Sequence, residues 1–164
     1  MVITRATEYA IRAILYMAKF PPGEIILKKD ICRTQGVTPA FLTKIFQPLV
    51  RAGIVGSQRG VGGGFYLNRP PQQISLYDIY REEEDPLLIN TCLGDKGCCE
   101  RDDFCPVHQA WQQVRRGMIE TLKQYDFARL AQEEQSNLNR LMAGLAGQPA
   151  AARHSCPADV SQGS

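Results

Sequence analysis

The sequence has no long apolar run, and its longest, at 25–27 and 86–89, are only a few residues each. A helix that crosses a membrane needs about 20 consecutive apolar residues, so none is expected. The first residues include Glu8 and Arg12 where a secretory signal peptide has its apolar core. We therefore expect a cytoplasmic protein with no membrane partner.

Histidine is also scarce, since His108 and His154 are the only two. The sequence contains no Ser–His–Asp set, no phosphate-binding P-loop and no pair of carboxylates placed for acid–base work. Side chains suited to general acid–base catalysis are therefore few. These absences argue against an enzyme.

Charge is distributed unevenly along the 164 residues, although the net charge is only +2. Residues 1–70 contain ten Lys and Arg against three Asp and Glu, whereas residues 71–164 contain nine against fourteen. A basic half favours a polyanionic partner such as DNA. The acidic half argues against a chain that coats nucleic acid along its whole length.

Apolar spacing and turn residues predict a mainly α fold with a small β-hairpin. Helices are expected at about 3–20 and 27–34, followed by a third that Thr38 caps, that Pro39 opens and that Gly53 ends. Val50 is expected on the apolar face of this third helix, and Pro48 is expected to bend or tighten it. Strand-like runs at 54–58 and 65–67 flank a glycine-rich tip.

This order of elements is typical of a winged helix-turn-helix. We place that domain at 1–85, with the wing at 54–67, and a loop at 86–108. Long helices are expected to begin at Pro106 and after Asp126, and together they occupy residues 106–145. Residues 146–164, rich in Ala, Pro, Ser and Gly, are expected to be disordered.

Polar and basic residues of the third helix and the wing are candidates for contact with double-stranded DNA. A recognition helix needs polar side chains for base edges, and nearby cations neutralise phosphates. The alternative is a helical domain whose glycine-rich hairpin binds another protein. The candidates for DNA contact are Lys28, Thr38, Ala40, Thr43, Lys44, Gln47, Arg51 and Arg59.

Four of the six cysteines lie within fourteen residues, and a histidine follows. This cluster consists of Cys92, Cys98, Cys99, Cys105 and His108. Thiolates and imidazole bind iron–sulfur clusters and zinc. Zinc sites, however, usually pair cysteines at shorter spacing, and thiol chemistry without a metal is a further alternative. Of the other two, Cys32 is expected to be a packing residue and Cys156 to be a free thiol in the tail.

One long motif covers the third helix and the wing, and the cysteine cluster and Trp111 follow it. It reads Phe46-x2-Leu49-x3-Gly53-Ile54-Val55-x3-Arg59-Gly60-x-Gly62-Gly63-Gly64-Phe65. This pattern resembles the IscR-type family of winged-helix iron–sulfur regulators, which includes NsrR, RirA and CymR. The resemblance covers residues 1 to about 130. It implies a homodimeric repressor or activator in which the helices at 106–145 form the dimer and the loop at 86–108 holds the cluster.

The resemblance implies that Cys92, Cys105 and His108 are ligands of an iron–sulfur cluster. Cys99 or Cys98 is then the third thiolate ligand. Cys99 is favoured because it keeps five residues before Cys105. The histidine favours a 2Fe–2S cluster, and a 4Fe–4S cluster is the alternative.

The resemblance bears on three further positions. Glu8 stands where some relatives recruit a carboxylate from the partner subunit, so it is either an additional ligand or a surface residue. Ala40 and Thr43 replace the Ser and Glu that IscR uses for recognition, so its operator cannot be transferred.

Together these features predict a homodimeric transcription regulator that senses iron–sulfur status, redox state or nitric oxide through its cluster. The alternative is a thiol-responsive or zinc-structured winged-helix repressor without an iron–sulfur cluster. A small redox carrier is a third reading, and the basic amino-terminal half argues against it.

Overall fold

The computed structural model describes residues 3–60, 62–84, 87, 89–94, 99–101 and 104–145. These residues form six helices and one three-stranded sheet. The helices are α1 (Arg5–Met17), α2 (Lys28–Gln35), α3 (Pro39–Arg51), α4 (Leu76–Glu84), α5 (Pro106–Lys123) and α6 (Phe127–Leu145). The strands are β1 (Ile26–Leu27), β2 (Val55–Gln58) and β3 (Gly64–Leu67), with 3₁₀ turns at Pro71–Gln73 and Thr91–Leu93. None of the helices in these residues is both long and apolar enough to cross a membrane.

The helix-turn-helix is built from α2 and α3, as the sequence predicts. Gly36 adopts a left-handed conformation with φ of 66° and ends α2. The Thr38 hydroxyl then accepts a 3.2 Å hydrogen bond from the Phe41 backbone N–H, and Pro39 follows in the first turn of α3. Pro48 lies inside α3 without interrupting it. Gly53, with φ of 68°, terminates the unit as expected.

The wing is part of a larger sheet than the hairpin that the sequence predicts. The strand order is β1-β3-β2, and both pairings are antiparallel. Ile26 pairs with Phe65, and both side chains are buried. The expected start of the second helix at residue 27 is therefore displaced by one residue, because Leu27 belongs to β1.

Other expected boundaries also shift. The first helix is shorter than 3–20, since a turn after Met17 replaces its last residues. Val50 was expected on the apolar face of α3, but its side chain is 37% exposed and faces the wing. The expected tail, 146–164, lies outside the described residues.

The core packs α1 against α3, and α3 in turn packs against β2 of the sheet. Fully buried Ile14 of α1 and Phe46 of α3 belong to one apolar cluster. Phe46 meets Phe65 edge-to-face, with ring centroids 4.8 Å apart. Phe127, at the start of α6, is also fully buried in this cluster. The amino-terminal elements and the first turn of α6 therefore share one core.

The two ends of α4 are fixed by polar side chains. At its start, Ser75 and Asp78 form a capping box, in which Asp78 Oδ2 accepts from the Ser75 backbone N–H at 2.8 Å. At its end, Glu84 Oε1 accepts from the Thr4 backbone N–H at 2.8 Å and from the hydroxyl of the buried Thr7. Glu84 thereby joins the last turn of α4 to the first turn of α1.

The Glu84 contact predicts an acid-sensitive contribution to stability. Burial acts to raise the pKa of Glu84, but the hydrogen bonds from Thr4 and Thr7 outweigh it and hold the pKa below its ordinary value. Glu84→Ala should lower the free energy of unfolding at pH 7 by about 1.5–3 kcal/mol, the usual worth of hydrogen bonds to a charged group. The loss should shrink as the pH falls through the lowered pKa, because the wild-type carboxylate is then protonated.

Urea unfolding at one fixed protein concentration, at pH 7 and at pH 3, measures this difference. Glu82→Ala is the matched control, because Glu82 makes only a surface ion pair with Arg81 and such pairs contribute about 0–1 kcal/mol. An equal loss for the two variants at pH 7 would contradict the assignment.

Candidate nucleic-acid interface and cysteine loop

A groove of about 640 Å³ separates α3 from the wing, and five of the predicted DNA-contact residues surround it. Phe46 and Phe65 close its floor. The predicted residues at its walls are Lys28, Thr43, Gln47, Arg51 and Arg59. Thr38, Ala40 and Lys44 are exposed on the amino-terminal half of α3, away from the groove lining.

Three cations give the groove a positive charge. Lys28 begins α2, Arg51 ends α3 and Arg59 follows β2 at the wing tip. None of the three forms an ion pair with another side chain in the part of the chain that the structure describes. They are therefore available to neutralise phosphates of a nucleic acid.

The two threonine hydroxyls of α3 have different capacities left for a ligand. The Thr43 hydroxyl donates to the Pro39 carbonyl at 2.7 Å, so its free lone pairs can accept from a base. The Thr38 hydroxyl already accepts from Phe41, so its proton can be donated to a phosphate or a base. Both groups are usable in the readout of DNA.

Two polar residues of β2, Ser57 and Gln58, also line the groove, and the sequence analysis missed them. In β2 the first two residues are buried and these last two are exposed. Their position directly before Arg59 was the available signal. The wing therefore supplies uncharged hydrogen-bonding groups as well as a cation.

The cysteine cluster is divided between two contacting pieces of the chain. Cys92 lies in the 3₁₀ turn Thr91–Leu93, whereas Cys105 caps α5 and His108 lies in its first turn. Arg115 of α5 donates to the carbonyl of Leu93 at 3.4 Å, and the Leu93 side chain is buried. The turn that contains Cys92 is thus packed on the helix that contains Cys105 and His108.

The thiols that the structure describes are partly accessible and are not grouped as a metal site. Cys92, Cys99 and Cys105 are half-buried, and Cys98 lies outside the described residues. Within the described residues no group of three or more His, Cys, Asp or Glu side chains could hold a metal ion. The ligand set therefore stays a prediction.

The donor atoms themselves suit an iron–sulfur cluster. Cys105 sits at the amino terminus of α5, where the helix dipole favours the negative charge of a thiolate. The side-chain nitrogen of Gln112 lies 2.7 Å from His108 Nε2. An amide nitrogen only donates, so Nε2 acts as the acceptor in this contact, and a metal bound through Nε2 would take the place of Gln112.

Glu8, the predicted additional ligand, forms an exposed pair with Arg12 within this chain, at 3.7 Å between Oε1 and Nη1. The arrangement agrees with a surface helix residue. A ligand role for Glu8 toward a partner subunit stays a prediction.

Helices α5 and α6 leave apolar side chains uncovered. None of the 18 residues of α5 is buried, and Val107 and Val114 are 58% and 46% exposed. On α6, Leu141 and Met142 are 60% and 71% exposed. Such a face is typical of a surface that another protein covers.

The winged helix and its basic groove define a DNA-binding transcription regulator rather than an enzyme. Residues 3–133 match the model of the Rrf2 family, described as an iron-dependent transcriptional regulator. The chain therefore belongs to the Rrf2 family, which confirms the family resemblance and the fold class predicted from the sequence.

Individual relatives agree with this assignment. Protein aau3 of Rhizobium meliloti (strain 1021) is 35% identical over 127 residues, which are 76% of this chain and 81% of that protein. The structure of CymR (YrzC), the global cysteine regulator of B. subtilis, covers 81% of this chain and 98% of its own, with 26% identity and a TM-score of 0.65. T. potens IscR covers 92% and 94%, with 22% identity and a TM-score of 0.63, and shows the shared fold.

The packing of the wing predicts that Gly64 cannot carry a side chain. A Cβ there would overlap the carbonyl oxygen of Ile26, its neighbour across the β1–β3 pairing, whereas one at Gly144 of α6 would meet open space. Gly64→Ala should cost about 1–3 kcal/mol of stability, as overpacking does, and should weaken DNA binding by displacing the wing. Gly144→Ala is the control, and equal unfolding midpoints for the two variants in urea would refute the prediction.

Proposed function

We propose that this protein is a homodimeric transcription regulator that binds an operator through the α3–wing groove and senses iron–sulfur status, redox state or nitric oxide. Cys92, Cys99, Cys105 and His108 are the proposed ligands of an iron–sulfur cluster, with 2Fe–2S favoured over 4Fe–4S. Cys98 is the alternative to Cys99. The observation that carries the proposal is the contact of the Cys92 turn with α5 through Arg115.

The DNA-binding part of the proposal rests on charge and shape. Lys28, Arg51 and Arg59 surround a groove next to an exposed recognition helix. Phosphate contacts set the register, and the polar groups of α3 then reach base edges in the major groove. An Arg at the wing tip suits the narrow minor groove of A·T-rich DNA.

The dimer is supported by the apolar face of α5. Val107 and Val114 are exposed on this helix, and a second copy offers the same face in return. Two recognition helices would then meet half-sites about 34 Å apart, which is one turn of DNA. The affinity for DNA would therefore depend on the distance between the two recognition helices of the dimer.

The sensing step uses the two pieces that contain the ligands. An iron–sulfur cluster, when bound, supplies sensitivity to iron supply, oxygen and nitric oxide. Cys92 on the 3₁₀ turn and the Cys105–His108 pair on α5 would be held against each other by joint ligation. Ligation would fix the loop and thereby favour one position of α5. The coupling free energy between cluster binding and DNA binding would be about 1–3 kcal/mol.

A thiol-responsive repressor without a cluster, or one structured by zinc, is the second candidate. The thiol-responsive form is supported by Cys92, Cys99 and Cys105, which are half-buried and therefore partly accessible to an oxidant. The similar B. subtilis protein is a regulator of cysteine. Oxidation of Cys92, Cys99 or Cys105 would then take the place of cluster loss as the signal.

Anaerobic purification, followed by the absorption spectrum and by iron and sulfide analysis, separates the two candidates. The wild-type protein should show visible charge-transfer bands with matching iron and sulfide, and Cys92→Ala should lose both. Cys156→Ala is the control, since Cys156 lies in the predicted tail. A wild-type protein that stays colourless after anaerobic reconstitution would favour the thiol or zinc candidate instead. The proposal that the protein binds DNA would be unaffected by this outcome.

DNA binding itself is tested with duplexes that the protein enriches from a random-sequence library. Arg59→Ala should weaken binding to these duplexes and reduce the slope of log affinity against log salt by about 1, as the loss of one cation from the interface does. Arg129→Ala is the control, because Arg129 pairs with Glu133 on α6 away from the groove. An unchanged salt slope for Arg59→Ala would remove Arg59 from the interface.

A further inference from the structure

An aromatic contact outside the groove joins α1 to the first turn of α3. The ring of Tyr9 meets the ring of Phe41 edge-to-face, with centroids 5.6 Å apart and an angle of 89° between the ring planes. Both side chains are half-buried and pack against the core. Neither residue lines the groove between α3 and the wing. The contact therefore lies beside the DNA-binding surface without being part of it.

Phe41 is the first residue of α3 whose side chain turns inward. Pro39 and Ala40, the two helix residues before it, are exposed, and Leu42 after it is fully buried. Successive residues of an α-helix point about 100° apart around its axis. A contact at Leu42 alone would allow the first turn to rotate slightly about that axis. The second contact, at Phe41, fixes the rotation.

The Tyr9 ring is itself held in place on α1. The guanidinium of Arg12, one turn further along, lies over this ring with its Cζ 5.4 Å from the centroid. Glu8 Oε1 lies 3.7 Å from the same guanidinium. The next residue, Ala10, is fully buried in the core. Tyr9 therefore presents a fixed surface to Phe41.

The turn that Phe41 anchors contains candidate DNA contacts. Thr38 caps it by accepting from the Phe41 backbone N–H at 3.2 Å, Ala40 is exposed, and Thr43 is half-exposed. Residues near the amino terminus of a recognition helix are the ones that reach base edges. A rotation of the turn would redirect Thr38, Ala40 and Thr43 together, because they share one capped helix start.

We propose that Tyr9 is a positioning residue for base recognition, which fixes the rotation of the first turn of α3 through Phe41 and thereby determines specificity without contact to DNA. Hydrogen bonds to base edges depend on angle as well as distance, so a small rotation lowers discrimination between bases. The attraction of the groove cations to phosphates carries no sequence information and tolerates such a rotation. This inference rests on the proposed function, since it requires DNA on α3.

The test measures the Kd of an enriched duplex and of its single-base variants by fluorescence anisotropy, at one salt concentration and with the full chain. Tyr9→Leu should lower discrimination about three- to tenfold at positions where Thr43→Val also lowers it, which is part of what one good base contact supplies. Its Kd for an unrelated duplex and its salt slope should equal those of the wild type, because the groove cations are unchanged. Tyr9→Phe keeps the ring and should keep wild-type discrimination.

Tyr16 offers a matched control on the same helix. Its ring is half-buried and meets Phe20 edge-to-face, with centroids 5.3 Å apart. Phe20 lies just after α1 rather than on α3. Tyr16→Leu therefore removes a comparable aromatic contact and should leave discrimination unchanged.

A variant on the other side of the contact keeps the test decisive if Tyr9→Leu fails to fold. Phe41→Leu should lower discrimination at the same positions as Tyr9→Leu does. The double variant should lose no more discrimination than either single variant, because both substitutions remove the same contact.

The outcomes are distinct for the two proposals. A similar loss at every position, no position shared with Thr43→Val, or an equal loss in Tyr16→Leu would overturn the assignment of Tyr9 alone. A loss of discrimination in Tyr9→Phe would do the same. Failure to enrich any duplex would overturn the proposed function, and the Tyr9 inference with it.

Discussion

The edge-to-face contact between Phe46 and Phe65 is the interaction on which the DNA-binding surface depends. It joins α3 to β3 at the floor of the groove, with both rings almost fully excluded from water. Phe46 faces the core while Gln47 and Arg51 of the same helix face outward. This ring pair fixes the distance between helix and wing. The cations at the groove walls are therefore positioned to contact one phosphate backbone together.

The sequence predicts what is local in this structure. The Thr38 cap and the Pro39 start each depend on residues within three positions of one another, and both are confirmed. The eight predicted DNA-contact residues are all exposed or half-exposed, because they lie at the start of α2, on the outward side of the amphipathic helix α3 and at the tip of the wing.

The features that the sequence did not predict are those that join distant segments. β1 has two residues and becomes a strand only because it pairs with β3, nearly forty residues later. Glu84 binds Thr4 across eighty positions, and no periodic pattern marks such a pair. Val50 is exposed because it lines the open groove between α3 and the wing. The spacing of the cysteine cluster can be read from the sequence. The relative positions of its members cannot, because they lie on a turn, a loop and a helix cap.

Helix α4 is the one described element that contacts α1, α3 and α5 together. The segment with the cysteines leaves the end of α4 and returns at the start of α5, so both of its ends are attached to helices that touch each other. Glu84 connects the last turn of α4 to the start of α1. α4 also packs against α3, the helix that lines the groove with its exposed side. The helix from which the cysteine segment departs is therefore in direct contact with the recognition helix, because both belong to the same packed core.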